Sequence, residues 1–83
     1  MKMVCISKSN DIAVGLRLAG VDSYVIRKDE DILRKIDELS LIEDIAIINV
    51  TEDVYEIAKE KLDKITETRE LPLILKIPNT KIK

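Results

Sequence analysis

The sequence predicts an α/β fold: a small parallel four-stranded sheet with helices on both faces, in the order β-α-β-α-β-α-β. Three observations predict it. Short apolar, β-branched runs alternate along the chain with longer segments of helical spacing. Residues 45–50 are apolar with one interruption, Asn49, as suits a central parallel strand buried on both faces. The chain has 83 residues, enough for one modest core, and strands joined through helices run parallel by right-handed crossovers.

Each element has its own signal. Met3-Val4-Cys5-Ile6 reads as a buried strand that Ser7-Lys8-Ser9-Asn10 ends. A first helix is expected from Asn10 or Asp11, either of which can cap free backbone N–H groups. It is expected to stop at Gly20, because glycine takes the left-handed conformation past a helix end. Residues 22–27, with Tyr24, Val25 and Ile26, give a second strand. Lys28-Asp29-Glu30-Asp31 opens a second helix, with acidic groups at the positive end of its dipole. Ile32, Leu33, Ile36 and Leu39 form its apolar face. After the central strand, Thr51 is placed to cap a third helix. Val54, Ile57, Ala58, Lys61, Leu62 and Ile65 follow helical spacing, with Lys61 snorkelling at the rim. Glu60 and Lys64 are spaced for an ion pair. Residues 71–77 make the last strand. Pro72, Lys76 and Pro78 mark it as an edge, since proline cannot donate to a ladder. The sheet order expected is 2-1-3-4, as in receiver and flavodoxin-like folds. Residues 1–78 are read as a single α/β domain and residues 79–83 as a polar tail.

Composition excludes several functions. Fourteen basic and sixteen acidic residues give a net charge of -2, which argues against a basic nucleic-acid surface. There is no Phe or Trp and only Tyr24 and Tyr55, too few aromatics for base stacking. No His is present and Cys5 is the single cysteine, so an internal disulfide, a Cys-rich zinc site and a Ser-His triad are all excluded. No apolar run approaches the roughly 20 residues needed to cross a bilayer. No cofactor or metal is expected. The lone cysteine fits a reducing, cytoplasmic setting.

The first helix has more apolar surface than a sheet requires. At about 100° per residue, Ile12, Gly15, Leu16 and Ala19 share one face, with the small Gly15 and Ala19 allowing close approach to the sheet. Val14 and Leu18 form a second stripe, and Arg17 lies on the remaining side. The apolar arc spans roughly 200°, against the roughly 100° of an ordinary surface helix. Either neighbouring elements of the same domain cover Val14 and Leu18, or a partner protein does. Val14, Arg17 and Leu18 are therefore the candidate partner contacts.

Chemistry is sparse elsewhere. The first loop, Ser7-Lys8-Ser9-Asn10-Asp11, lacks the glycines of a phosphate-binding loop. A receiver would need acidic residues where Ser7 and Lys8 stand, and an aspartate in place of Asn49, to bind magnesium and accept phosphate. Cys5 raises a phosphocysteine carrier, similar to sugar-transport IIB domains, but it lies inside an apolar run, where a small buried hydrophobe is the simpler reading.

Three motifs carry a family resemblance. Gly15-Leu16-Arg17-Leu18-Ala19-Gly20-Val21 is similar to a G-F-x-L-A-G-hydrophobic signature, with Leu16 in place of phenylalanine. Residues 45–52, IAIINVTE, resemble a strand-to-helix junction I-x-I-I-L-I-T-E, with Asn49 in place of leucine. Residues 71–78, LPLILKIP, resemble L-P-x-I-V-E-I-P. By these motifs the chain resembles the F subunit of the archaeal and bacterial A-/V-type rotary ATPase, over nearly its whole length. The resemblance implies a receiver-like fold without catalytic residues. It implies a place in the central rotor stalk, bound to the D subunit coiled coil and near the A and B catalytic subunits. Such a subunit helps couple ATP synthesis or hydrolysis to proton or sodium transport. It is a cytoplasmic, peripheral part of a membrane-bound complex and does not itself insert in the membrane. The family's usual C-terminal helix is absent from the sequence after Pro78.

Overall fold

The computed structural model describes residues 1–78. The elements are β1 (Lys2–Ser7), α1 (Asn10–Leu18), β2 (Asp22–Val25), α2 (Asp29–Ser40), β3 (Ile45–Thr51), α3 (Glu52–Thr68) and β4 (Leu73–Ile77). All three strand pairings are parallel and the sheet order is β2-β1-β3-β4. The expected order 2-1-3-4 is observed, with β3 central and β4 at an edge. The expected tail, residues 79–83, lies outside the described residues.

One face of the sheet carries the core. Strand alternation sends Val4 and Ile6 of β1, and Ile48 and Val50 of β3, to the same side. There they pack with Ile32, Ile36 and Leu39 of α2 and Val54, Ala58 and Leu62 of α3. The spacing read for α2 and α3 is the spacing that is buried, with Leu33, Ile57 and Ile65 at its margin. Lys61 does sit at the rim, where its Nζ donates to both carboxylate oxygens of Asp37 at 2.8 and 2.9 Å. That contact ties α3 to α2. The ion pairs formed among the described residues do not include Glu60 with Lys64.

Several boundaries differ from expectation, for local reasons. Ser9, rather than Asn10 or Asp11, caps α1: its Oγ accepts from the Ile12 N–H at 3.5 Å. β1 runs on to Ser7, so the first cap-competent residue beyond the strand and its turn takes the role. Thr51 precedes α3 but does not cap it through its side chain. Its hydroxyl donates to Asp53 Oδ1 at 2.5 Å, and that oxygen also accepts from the Val54 N–H. β2 ends at Val25, two residues early, and β4 begins at Leu73, two residues late. Gly20 does end α1, with φ of 90°. Its N–H bonds the Arg17 carbonyl at 3.0 Å and the Val21 N–H bonds the Leu16 carbonyl at 2.9 Å, a closed helix terminus.

Candidate partner-binding surface

Among the described residues, the second face of the sheet is only partly covered. Cys5, Ser7, Ser23, Ile47, Asn49, Leu73 and Leu75 alternate with the core residues and so point to this side. α1 lies here, against β1 and β2. Among the described residues no helix lies over β3 and β4 on this side. The result is a narrow shelf of exposed apolar side chains along the edge strand β4, with Met3 at the start of β1; on β3 itself Asn49 and Thr51 are buried and Ile47 is half-buried. Leu73 is 52% and Leu75 46% exposed on β4, and Met3 of β1 is 40% exposed on the same side.

The rotation of α1 differs from the expected one. Ala13, not Gly15 or Ala19, is the residue buried against the sheet. Ile12 and Leu16 are half-buried beside it, while Gly15 and Ala19 are exposed. In this rotation Arg17 bridges α1 to β2. Its Nη2 and Nε donate to the Ser23 carbonyl of β2 at 2.9 and 3.3 Å. Arg17 thus caps a carbonyl of the outer strand and holds α1 over that edge. Arg17 is otherwise exposed. Replacing Arg17 with alanine is expected to lower stability by about 1–2 kcal/mol, because a charge-assisted pair of hydrogen bonds is lost; urea unfolding measures it.

The same rotation leaves the second stripe uncovered. Leu18 is 85% and Val14 43% exposed. Among the described residues Leu18 is left uncovered and Val14 only partly covered, so of the two readings of the wide apolar arc, full burial within the domain is not what is observed. The structure therefore places Val14 and Leu18 on the surface and Arg17 on the backbone. It also shows apolar surface that sequence reasoning missed: Met3, Leu73 and Leu75 on the shelf. The signal was present in the count of elements, since three helices cannot cover both faces of four strands.

The C-terminal ends of the strands, where α/β sheets usually bind small ligands, are occupied by local contacts. Ser7 Oγ accepts from the Ser9 N–H at 2.8 Å and donates to the Ser9 carbonyl. Lys8 pairs with Asp29 at 3.5 Å. Among the described residues, no group of three or more His, Cys, Asp or Glu converges. Cys5 is fully buried in mid-strand, and burial pushes its thiol up to about 11. It is protonated at neutral pH and shielded, the opposite of a nucleophilic thiolate. Alkylation of the native protein by iodoacetamide is expected to be slow and to become fast on denaturation. The folded state favours the neutral thiol, so stability is full below pH 9 and falls as pH rises towards 11, by about 2 kcal/mol. Cys5→Ala removes that part of the alkaline slope, which denaturant titrations of the two proteins would isolate.

A sequence model of the family described as ATP synthase (F/14-kDa) subunit matches residues 3–83. The chain is 39% identical over 70 residues to the F subunit of the A-type ATP synthase of Methanocaldococcus jannaschii, covering 83% of this chain. The chain spans 66% of that relative's length. In fold it is similar to the crystal structure of the F subunit of the V-type ATP synthase of Archaeoglobus fulgidus, with a TM-score of 0.71. That likeness covers 92% of this chain and 95% of the other at 17% identity.

Proposed function

The chain belongs to the family of ATP synthase (F/14-kDa) subunits, residues 3–83 matching it, and from that premise we propose that it is a non-catalytic component of the central stalk. In this reading it binds the D subunit coiled coil of the rotor and helps couple ATP synthesis or hydrolysis to proton or sodium transport. The A and B catalytic subunits are further candidate partners in this reading. It works at the cytoplasmic side of the membrane-bound complex, and no described helix is long and apolar enough to cross a membrane.

The observation that carries the proposal is the exposed outer stripe of α1. Among the described residues two apolar side chains, Leu18 at 85% and Val14 at 43%, are exposed to solvent on one stripe of the helix. A surface of that kind is covered in a complex. A coiled coil offers the complementary shape, a long ridge of apolar and charged side chains. Val14 and Leu18 supply the apolar contact, and Arg17 holds the helix that presents them. The alternative, a phosphocysteine carrier using Cys5, requires an accessible thiolate, which the burial of Cys5 opposes.

The test is the double variant Val14→Asp, Leu18→Asp. Both positions are exposed, so the fold is expected to stand, as circular dichroism would verify. Affinity for the D subunit is expected to fall at least about thirtyfold, the loss of one central contact of about 2 kcal/mol. Unchanged binding by the folded variant would remove this surface from the proposal.

A further inference from the structure

A strand at the edge of a sheet is satisfied on one side only. Its backbone groups alternate, one residue turned to the neighbouring strand and the next turned away from it. β2 is such a strand, at one end of the order β2-β1-β3-β4. Just past its end, the Ile26 N–H bonds the Ser7 carbonyl of β1 at 2.9 Å. Counting back by twos, Tyr24 and Asp22 also turn their backbone groups to β1, and Val25 and Ser23 turn theirs outward.

The Ser23 carbonyl therefore stands at the outer edge of the sheet, and it is the carbonyl that Arg17 occupies, with Nη2 at 2.9 Å and Nε at 3.3 Å. Two donors fill both lone pairs of that oxygen. The Val21 carbonyl, two residues earlier, accepts from Ser23 Oγ at 3.3 Å. The two edges of the sheet are protected by different means. β4 is flanked by Pro72 and Pro78 and carries Lys76, the residue types that ordinarily keep an edge from pairing. β2 contains neither proline nor lysine, and Asp22 at its start is its one charged residue.

A second copy of β2 is complementary to this edge. Set the two strands antiparallel with Tyr24 opposite Tyr24 of the second copy. Ser23 of each copy then faces Val25 of the other. These are the outward-turned residues, so each facing pair exchanges both of its N–H···O bonds. Tyr24 falls at the intervening position, where opposed side chains come closest and an aromatic pair is stabilising. In each exchange the Val25 N–H needs the Ser23 carbonyl of the other copy, and that acceptor is already filled.

We propose that Arg17 guards the β2 edge: its guanidinium, held on the Ser23 carbonyl, keeps a second copy of this chain from adding its own β2 to the sheet. Two effects act together. Displacing the guanidinium gives up charge-assisted hydrogen bonds on each copy. Leaving it in place sets two like charges against each other across the seam. The same role accounts for a charged residue between Leu16 and Leu18 on a helix that is otherwise mostly apolar.

Sedimentation equilibrium of the purified chain is the test, with Arg17→Met as the first variant. Methionine keeps an unbranched stem and a helix propensity close to that of arginine, and it removes every donor. The variant is expected to dimerise at least about tenfold more tightly than the wild type. A variant that associates no more tightly than the wild type overturns the proposal. In the dimer the Val25 amide is expected to exchange with solvent at least about tenfold more slowly than in the wild type, because it then bonds Ser23 of the other copy. A Val25 amide that gains no protection overturns the pairing through β2. Adding Val25→Pro to Arg17→Met is expected to return the chain to the wild-type state of association. The N–H that proline removes faces outward, so no bond within the sheet is lost and the edge strand tolerates it. Association through a loosened core would be strengthened by this second substitution rather than abolished, so a double variant that dimerises as tightly as Arg17→Met also overturns the proposal. No D subunit is present in these experiments, so their failure leaves the central-stalk reading as it stands.

Discussion

Ile48→Ala is expected to lower the unfolding free energy by about 3–4 kcal/mol. Ile48 sits at the middle of the central strand. Its Cα neighbours across the sheet are Val4 on β1 and Ile74 on β4. It is fully buried, and α2 and α3 close over that row. Removing three carbons there forfeits their transfer free energy. It also leaves a cavity that the parallel backbone on both sides cannot collapse to fill. A chain of this size has about 4–12 kcal/mol of stability to lose, at roughly 0.05–0.15 kcal/mol per residue. The variant is therefore expected to be marginally folded, with a melting temperature lower by about 15 °C or more. Urea titration measures it as a fall in midpoint with an unchanged slope. Leu75→Ala, on the open shelf, is expected to cost less than about 1 kcal/mol in the same assay.

Asn49→Asp is expected to cost about 3 kcal/mol at neutral pH, although the two side chains have the same shape. Asn49 is almost completely buried on β3 and its Nδ2 donates to the Val4 carbonyl of β1 at 3.0 Å. An ionised aspartate places an acceptor against that carbonyl and buries a charge with no partner. The protonated acid can donate to the carbonyl instead. The folded state therefore raises the aspartate's pKa. Its stability deficit is largest above that raised value and shrinks as pH falls through it towards the unfolded value near about 4. A midpoint that recovers on acidification is the expected signature. A deficit independent of pH would mean that the hydrogen bond to Val4 contributes little.

How far the sequence speaks depends on the kind of signal each element carries. β3 was legible because a buried parallel strand reads as a continuous apolar run. Asn49, its interruption, is paired rather than misplaced. β4 was legible as an edge from its prolines. α2 and α3 were legible because each has one narrow apolar stripe, which fixes its rotation. α1 was not, because an arc of roughly 200° fits several rotations equally well. The deciding contact, Arg17 to the Ser23 carbonyl, joins residues on two elements and has no periodic trace. The cap was displaced for a related reason. Ser9, Asn10 and Asp11 are all competent caps, and the choice among them depends on where β1 ends.

The candidate site divides in the same way. Val14 and Leu18 were found from helical spacing and are exposed. Arg17 was grouped with them but is engaged within the chain. The shelf of Met3, Leu73 and Leu75 was missed because each residue looks like ordinary strand core when read along its own element. Its exposure arises from the layer arrangement: among the described residues α2 and α3 lie on one face and α1 alone on the other. That arrangement follows from the crossovers, and an element-by-element reading did not reach it.

The central claim, that this chain is a rotor-stalk component held by a coiled-coil partner, is tested most directly by co-purification with the same source's D subunit. The complex is then sized by light scattering. A stable one-to-one complex, present at equilibrium and reduced in the Val14→Asp, Leu18→Asp variant, is the predicted result. A chain of demonstrated fold that does not bind the D subunit at all would contradict the account.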